Sequence, residues 1–161
     1  MKRLKLYLDT SILGALFDTE EPDRVKIAGD LLQLIKNGVF EGCISLLTIQ
    51  EVSRAPQEIR NELERKITEF GFTTLIETEE SIELAESYLK AGVIPKKYRD
   101  DARHIAIGVY HEVDYIVSWN YRHMVNIITR RLINSTNLKM GYNPIEIISP
   151  EEVTGDGKME I

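Results

Sequence analysis

Short apolar stretches alternate with longer segments of helical periodicity along the whole chain. The apolar stretches predict strands at 4–9, 39–45, 73–77, 114–118 and 145–148. The segments between them predict helices at 11–18, 23–37, 47–54, 57–70, 79–91, 100–112 and 121–138. Short apolar strands separated by helices are typical of a parallel sheet that is covered on both faces. The pattern therefore predicts an α/β protein, a three-layer α/β/α sandwich with a central parallel sheet.

The length of 161 residues is that of one ordinary domain. We expect a domain over 1–150 and a flexible C-terminal tail over 151–161, because the last residues, "TGDGKMEI", have little apolar content. No apolar run is long enough for a membrane helix, and the first residues lack the apolar core of a signal peptide. The single cysteine, Cys43, cannot form an internal disulfide. These features predict a cytoplasmic protein with no membrane partner.

The charge is unevenly distributed. The net charge is -6, but residues 94–140 hold eight Lys or Arg against four acids. The basic residues of this segment are Lys96, Lys97, Arg99, Arg103, Arg122, Arg130, Arg131 and Lys139. A phosphate backbone could bind across some of them, although an ordinary solvated surface of mixed charge explains the same count.

Polar side chains stand where the predicted strands end. Asp9 ends the first strand, and Glu51 follows the second in "TIQEV". Asp101 lies at the start of the helix before the fourth strand, and Asn120 comes just after that strand. Because ligands of such sheets bind outside the carboxyl ends of the strands, we expect these four side chains to face one crevice.

Each of these residues also has a local explanation. Asp9 is a favourable helix cap, and Thr48 with Glu51 fits a capping box. Either aspartate of "DDARH" could cap its helix, and asparagine is common in turns. Only the coincidence of all four positions favours a site.

Electrostatics makes that coincidence informative. Two carboxylates about 5 Å apart repel by roughly 3 kcal/mol at an effective dielectric near 20. A positive group must therefore lie among Asp9, Glu51 and Asp101. Flanking arginines could supply it, but a divalent cation such as Mg²⁺ or Mn²⁺ suits carboxylate and water ligands and can activate water at a phosphodiester.

Four segments together resemble the PIN domain family of metal-dependent ribonucleases, and its VapC-like members in particular. They are "YLDTSIL", "LLTIQEV", "DDARHIAIG" and "DYIVSWNYRHM", which span about residues 4 to 126. The C-terminal "INSTNLKMGYNPIEIISPEEV" looks like the ending of a PIN branch found in bacteria and archaea. The resemblance implies an α/β/α sandwich with a parallel sheet in the order 3-2-1-4-5.

The same resemblance implies a site and partners. Asp9, Glu51 and Asp101 match the three acids of the family's metal site. Asn120 stands where many members have a fourth acid, which implies a weaker second metal site. Ser118 matches a small hydroxyl position. The implied function is an endoribonuclease that cuts RNA, often as a homodimeric toxin neutralised by a small antitoxin protein.

Other interpretations remain open. Because Asn120 stands in place of an acid, the protein could instead be a PIN-like module that binds RNA or protein with weak or no nuclease activity. A phosphatase is disfavoured, because Ser11 stands where such enzymes usually have a second aspartate. The three histidines lack the spacing of a zinc site. His104, three residues after Asp101, either lines the crevice or packs in the core.

Overall fold

A single parallel sheet forms the centre of the molecule. The computed structural model describes residues 2–155. Its strands are β1 (Lys5–Leu8), β2 (Glu41–Ser45), β3 (Thr73–Leu75), β4 (Tyr115–Val117) and β5 (Glu146–Ile148). They pair in parallel in the order β3-β2-β1-β4-β5. The predicted architecture and strand order are confirmed.

Helices cover both faces of the sheet. They are α1 (Thr10–Ala15), α2 (Pro22–Lys36), α3 (Leu46–Val52), α4 (Gln57–Phe70), α5 (Glu79–Lys90), α6 (Arg99–Tyr110), α7 (Ile127–Lys139) and α8 (Pro150–Thr154), with a 3₁₀ turn at Lys96–Tyr98. In β1, Leu6 and Leu8 pack into one apolar cluster and Tyr7 packs into the other. Successive strand residues point to opposite faces, so two cores enclose the sheet.

Strand register aligns the ends that carry the polar residues. Leu8 pairs with Val117, and Tyr7 pairs with Cys43. Asp9 and Ser118, which follow these strands, therefore emerge at the same edge of the sheet.

A glycine lets α6 approach the sheet closely. A Cβ at Gly108 would lie 2.9 Å from side-chain atoms of Ile116 in β4. The same helix carries Asp101 and His104 near its start. Its close seat on β4 thus brings both side chains to the carboxyl edge of the sheet.

The predicted helix at 121–138 begins too early. Helix α7 starts at Ile127, and residues 121–126 form a loop. The Asn120 side-chain oxygen accepts a hydrogen bond from the His123 backbone N–H (3.0 Å). Asn126 caps α7 by accepting a bond from the Thr129 N–H (2.8 Å). Two asparagines therefore hold the chain out of the helix over this segment.

The chain beyond β5 continues into α8, which packs against α2. Residues 151–155 of the predicted tail are described, whereas 156–161 lie outside the described residues. Over residues 2–155, no helix has the length and apolar content needed to cross a membrane.

Candidate functional site

Asp9 is both a helix cap and a buried acid at a strand end. Its side chain is 5% exposed. One carboxylate oxygen accepts bonds from the Ser11 backbone N–H (3.2 Å) and hydroxyl (2.5 Å). The other oxygen accepts a bond from the hydroxyl of Ser118, the residue that follows β4 (2.6 Å). The local cap explanation is therefore true, but it uses only one of the two oxygens.

Burial raises the pKa of Asp9, because the charged form loses its hydration. His104 and the two serine hydroxyls oppose this shift, and the charge of Asp101 adds to it. Ionisation of Asp9 is therefore disfavoured by burial, and a positive partner would offset that cost.

Glu51 is bonded to a histidine and takes no part in a capping box. Helix α3 starts at Leu46, and its capping box joins Ser45 to Thr48. The box of Thr48 with Glu51, considered above, does not form. The Glu51 side chain instead lies 2.6 Å from the Nε2 of His104.

A buried chain of hydrogen bonds stands behind Glu51. The other ring nitrogen of His104 lies 2.6 Å from the Tyr7 hydroxyl, which lies 2.7 Å from the Ser45 hydroxyl. A carboxylate only accepts, so Nε2–H donates to Glu51, and Nδ1 shares a hydrogen bond with the Tyr7 hydroxyl. Burial raises the pKa of Tyr7, which keeps its proton for this bond.

Asp101 lies at the other side of the crevice, in the first turn of α6. One of its oxygens accepts a bond from the Asn120 side-chain amide (3.0 Å) and lies 3.3 Å from the Nδ1 of His123. Burial raises the pKa of Asp101, whereas Asn120, His123 and His104 oppose the shift. The charge of Glu51 raises it further.

The structure brings the four predicted residues to one edge of the sheet. The pKa of Asp101 responds to the charge of Glu51, and that of Asp9 responds to the charge of Asp101. Asn120 joins Asp101 directly. The neighbouring Asp100 is bonded to Arg103 (3.0 Å), which also holds Glu77 through two bonds of 2.7 and 2.8 Å. Asp100 is therefore committed to an ion pair.

The donor set has the chemistry that a hard divalent cation requires. Carboxylate oxygens dominate it, and the buried hydroxyl of Thr10, beside Asp9, has no hydrogen-bond partner among the described residues. Each acid is nevertheless bonded to a different donor. Within residues 2–155, no group of three or more His, Cys, Asp or Glu side chains is arranged so that it could hold a metal ion. The side chains are of the kind that binds a divalent cation, but Glu51 and Asp101 contact the imidazoles of His104 and His123 instead.

Sequence reasoning missed two participants. Tyr7 has the apolar neighbours of a core residue, and the only signal of another role is its hydroxyl within "LYL". His123 was assigned to a helix, whereas it lies in the loop that Asn120 holds. For His104, the crevice and core alternatives are both true, since it is buried and contacts Glu51.

The architecture matches that of a solved complex. The chain shares its fold with one chain of a VapBC2 structure. That crystal structure is of VapBC2 from Rickettsia felis bound to a DNA fragment from their promoter. The similarity has a TM-score of 0.57 and 13% identity, and covers 91% of this chain and 98% of that chain. No protein-family model and no curated protein matches the sequence.

Proposed function

We propose that the protein is a metal-dependent endoribonuclease that hydrolyses RNA phosphodiester bonds in the cytoplasm with Mg²⁺ or Mn²⁺. The main support is the convergence of Asp9 and Asp101. The Asp9 carboxylate is buried and that of Asp101 is partly buried. They come from distant segments, and the charge of Asp101 raises the pKa of Asp9. Such an arrangement is costly without a cation and useful with one.

The proposed roles follow from position. Asp9 and Asp101 hold the principal metal, and Glu51 ligates it or positions the attacking water. When bound, the metal would activate water and stabilise charge at the phosphodiester. Asn120 orients water and brings no charge, so a second cation binds more weakly. Ser118 and Ser11 fix the Asp9 carboxylate through its hydrogen bonds.

Metal binding requires a change in hydrogen bonding. We expect Glu51 and Asp101 to exchange their bonds to His104 and His123 for the metal or its waters. Magnesium and manganese would favour this exchange, because they bind carboxylate oxygen in preference to imidazole.

The test is cleavage of a labelled RNA with Mn²⁺, with and without chelator. Asp9→Asn and Asp101→Asn should abolish cleavage. Asp100→Asn is the matched control, because it removes the adjacent charge and leaves Arg103 bonded to Glu77. Cleavage that survives chelation, or equal activity in the Asp101 variant, contradicts the proposal.

A second candidate is a PIN-like module that binds RNA or protein with weak or no nuclease activity. The pairing of Glu51 and Asp101 with imidazoles favours it, as does the amide at position 120. Clean native protein that retains RNA and never cuts it under varied metal conditions would establish this alternative.

We further propose that the protein is a homodimeric toxin bound by a small antitoxin. The fold shared with a chain of the VapBC2 structure supports this role. Induced expression should arrest growth, and Asp101→Asn should not. Co-expression of a neighbouring small reading frame should restore growth, and arrest by the Asp101 variant would contradict a role for cleavage.

A further inference from the structure

Basic residues beside the crevice differ in whether a carboxylate neutralises them. Arg99 pairs with Glu86, and Arg103 pairs with Glu77 and Asp100. The exposed side chains of Lys96, Lys97 and Arg122 form no ion pair within the described part of the chain. These three cations remain available to a ligand.

Tyr98 joins two of these cations from distant segments. The Lys97 ammonium lies 5.8 Å from the centre of the Tyr98 ring, and the Arg122 guanidinium lies 6.0 Å from it. The His123 ring packs on Tyr98 with centroids 4.0 Å apart. An aromatic face attracts a cation that lies within about 6 Å of its centre.

The cluster adjoins the crevice. His123, which packs on Tyr98, lies 3.3 Å from a carboxylate oxygen of Asp101. Lys97 and Arg122 thus stand at the border of a site whose own charges are negative. A polyanion that approaches the acids needs such cations to offset repulsion.

We propose that Lys97, Tyr98 and Arg122 form a strand-binding rim that holds the phosphate backbone of single-stranded RNA beside the carboxylates. The assignment rests on the proposed function for its substrate class. Lys97 and Arg122 contact phosphates, Lys96 adds a third positive charge, and Tyr98 positions both cations. Such contacts are independent of base sequence.

The test is fluorescence anisotropy of a labelled single-stranded RNA with EDTA present, so that no cleavage occurs. Lys97→Ala with Arg122→Ala should weaken binding by roughly tenfold and reduce the slope of log affinity against log salt by about 1.4, since each phosphate contact contributes about 0.7. Lys139→Ala is the control, because this exposed lysine ends α7 before the start of β5, at the opposite edge of the sheet. It should bind like the native protein.

The proposed rim and the proposed nuclease activity can be contradicted by different results. Native protein that binds RNA through these cations and never cuts it supports the rim and contradicts the nuclease. A double variant that retains native affinity and salt slope overturns the rim, whatever its activity. Loss of binding to a protein partner with RNA affinity unchanged would also overturn it, by making this surface a protein contact. Arg122→Lys should retain most of the binding, which separates loss of charge from loss of folding.

Discussion

At the residue scale, the central feature is the hydrogen-bonded chain from Ser45 through Tyr7 and His104 to Glu51. Tyr7 and His104 are buried, and their bonds measure 2.6 to 2.7 Å. A group that approaches substrate is positioned by the partners that fix its orientation. This series of hydrogen bonds therefore links the Glu51 carboxylate, at the surface, to Tyr7 in the centre of the sheet.

We predict that Tyr7→Phe lowers both stability and cleavage. Loss of the hydroxyl leaves the buried Nδ1 of His104 without its hydrogen-bond partner, which costs about 1–3 kcal/mol of unfolding free energy. Loss of orientation at Glu51 should reduce cleavage by roughly 10- to 100-fold. Urea unfolding and RNA cleavage measure the two effects.

Tyr88→Phe is the matched control. Tyr88 is also fully buried, and its hydroxyl bonds to Asn137 in α7. This variant should lose comparable stability and retain cleavage. Equal cleavage in the two variants would show that the Tyr7 hydroxyl serves folding alone.

The sequence predicted that the acids lie at strand ends and helix starts, but it did not predict their hydrogen-bond partners. A carboxylate at a strand end is visible in the order of residue types, as Asp9 illustrates. The bond between His104 and Glu51 depends on where α6 lies against α3, which no local pattern encodes. Likewise, the cap of α3 lies at Ser45, three residues before the predicted cap at Thr48, so the capping box joins Ser45 to Thr48.

At the element scale, the seat of α6 on β4 determines where Asp101 lies. We predict that Gly108→Ala destabilises the protein by up to about 2 kcal/mol, because overpacking against Ile116 costs about 1–3 kcal/mol and the gain in helix propensity returns at most about 1. Chemical unfolding measures this change.

Gly29→Ala in α2 is the control for propensity. A Cβ there meets no atom within 4 Å, so this variant should gain about 0.5–1 kcal/mol. If Gly108→Ala also gains stability, the close approach of α6 does not constrain the sheet.

Helix α8 is fastened to the end of β4 by Glu151. Its carboxylate accepts bonds from the Trp119 indole N–H (2.7 Å) and the Tyr121 hydroxyl (3.4 Å). Burial opposes ionisation, but these bonds and others from Ser149 and the backbone lower the pKa of Glu151 below its ordinary value. The ionised form is therefore favoured in the folded protein.

The sign of the pH dependence follows. A lowered pKa stabilises the folded state above the ordinary value of 4.5, and this contribution is lost as the pH falls through the lowered pKa. Native protein should melt at a higher temperature than Glu151→Gln at neutral pH, and the difference should shrink in acid. Exposed Glu146→Gln is the control. A difference that is constant with pH would contradict the role of the charge.

At the scale of the whole molecule, the alternating pattern was enough to predict the layers. The strand order came from the resemblance, since periodicity does not state which strands are neighbours. The strand-binding rim was invisible, because Tyr98 and Arg122 meet only after the chain folds. The charge count over 94–140 includes the cations of the proposed rim, and it also includes arginines that ion pairs neutralise.

Exposed apolar side chains are concentrated on α7, where Ile127 is 66% exposed and Ile128 69%. Leu132 lies one turn after Ile128 and is 44% exposed. Exposed apolar side chains one helical turn apart, such as Ile128 and Leu132, are typical of an interface. We expect the proposed homodimer to bury this face.

Leu132→Arg should therefore convert the dimer to a monomer, because a buried unpaired charge at an interface is strongly unfavourable. Leu4→Arg is a close control, since Leu4 is 43% exposed and precedes β1, away from α7. Light scattering coupled to size-exclusion chromatography measures the mass of each variant. A native monomer, or a Leu132 variant that keeps the native dimeric mass, would exclude α7 as the dimer contact. Cleavage of RNA by a monomeric Leu132→Arg variant would show that one chain holds a complete site.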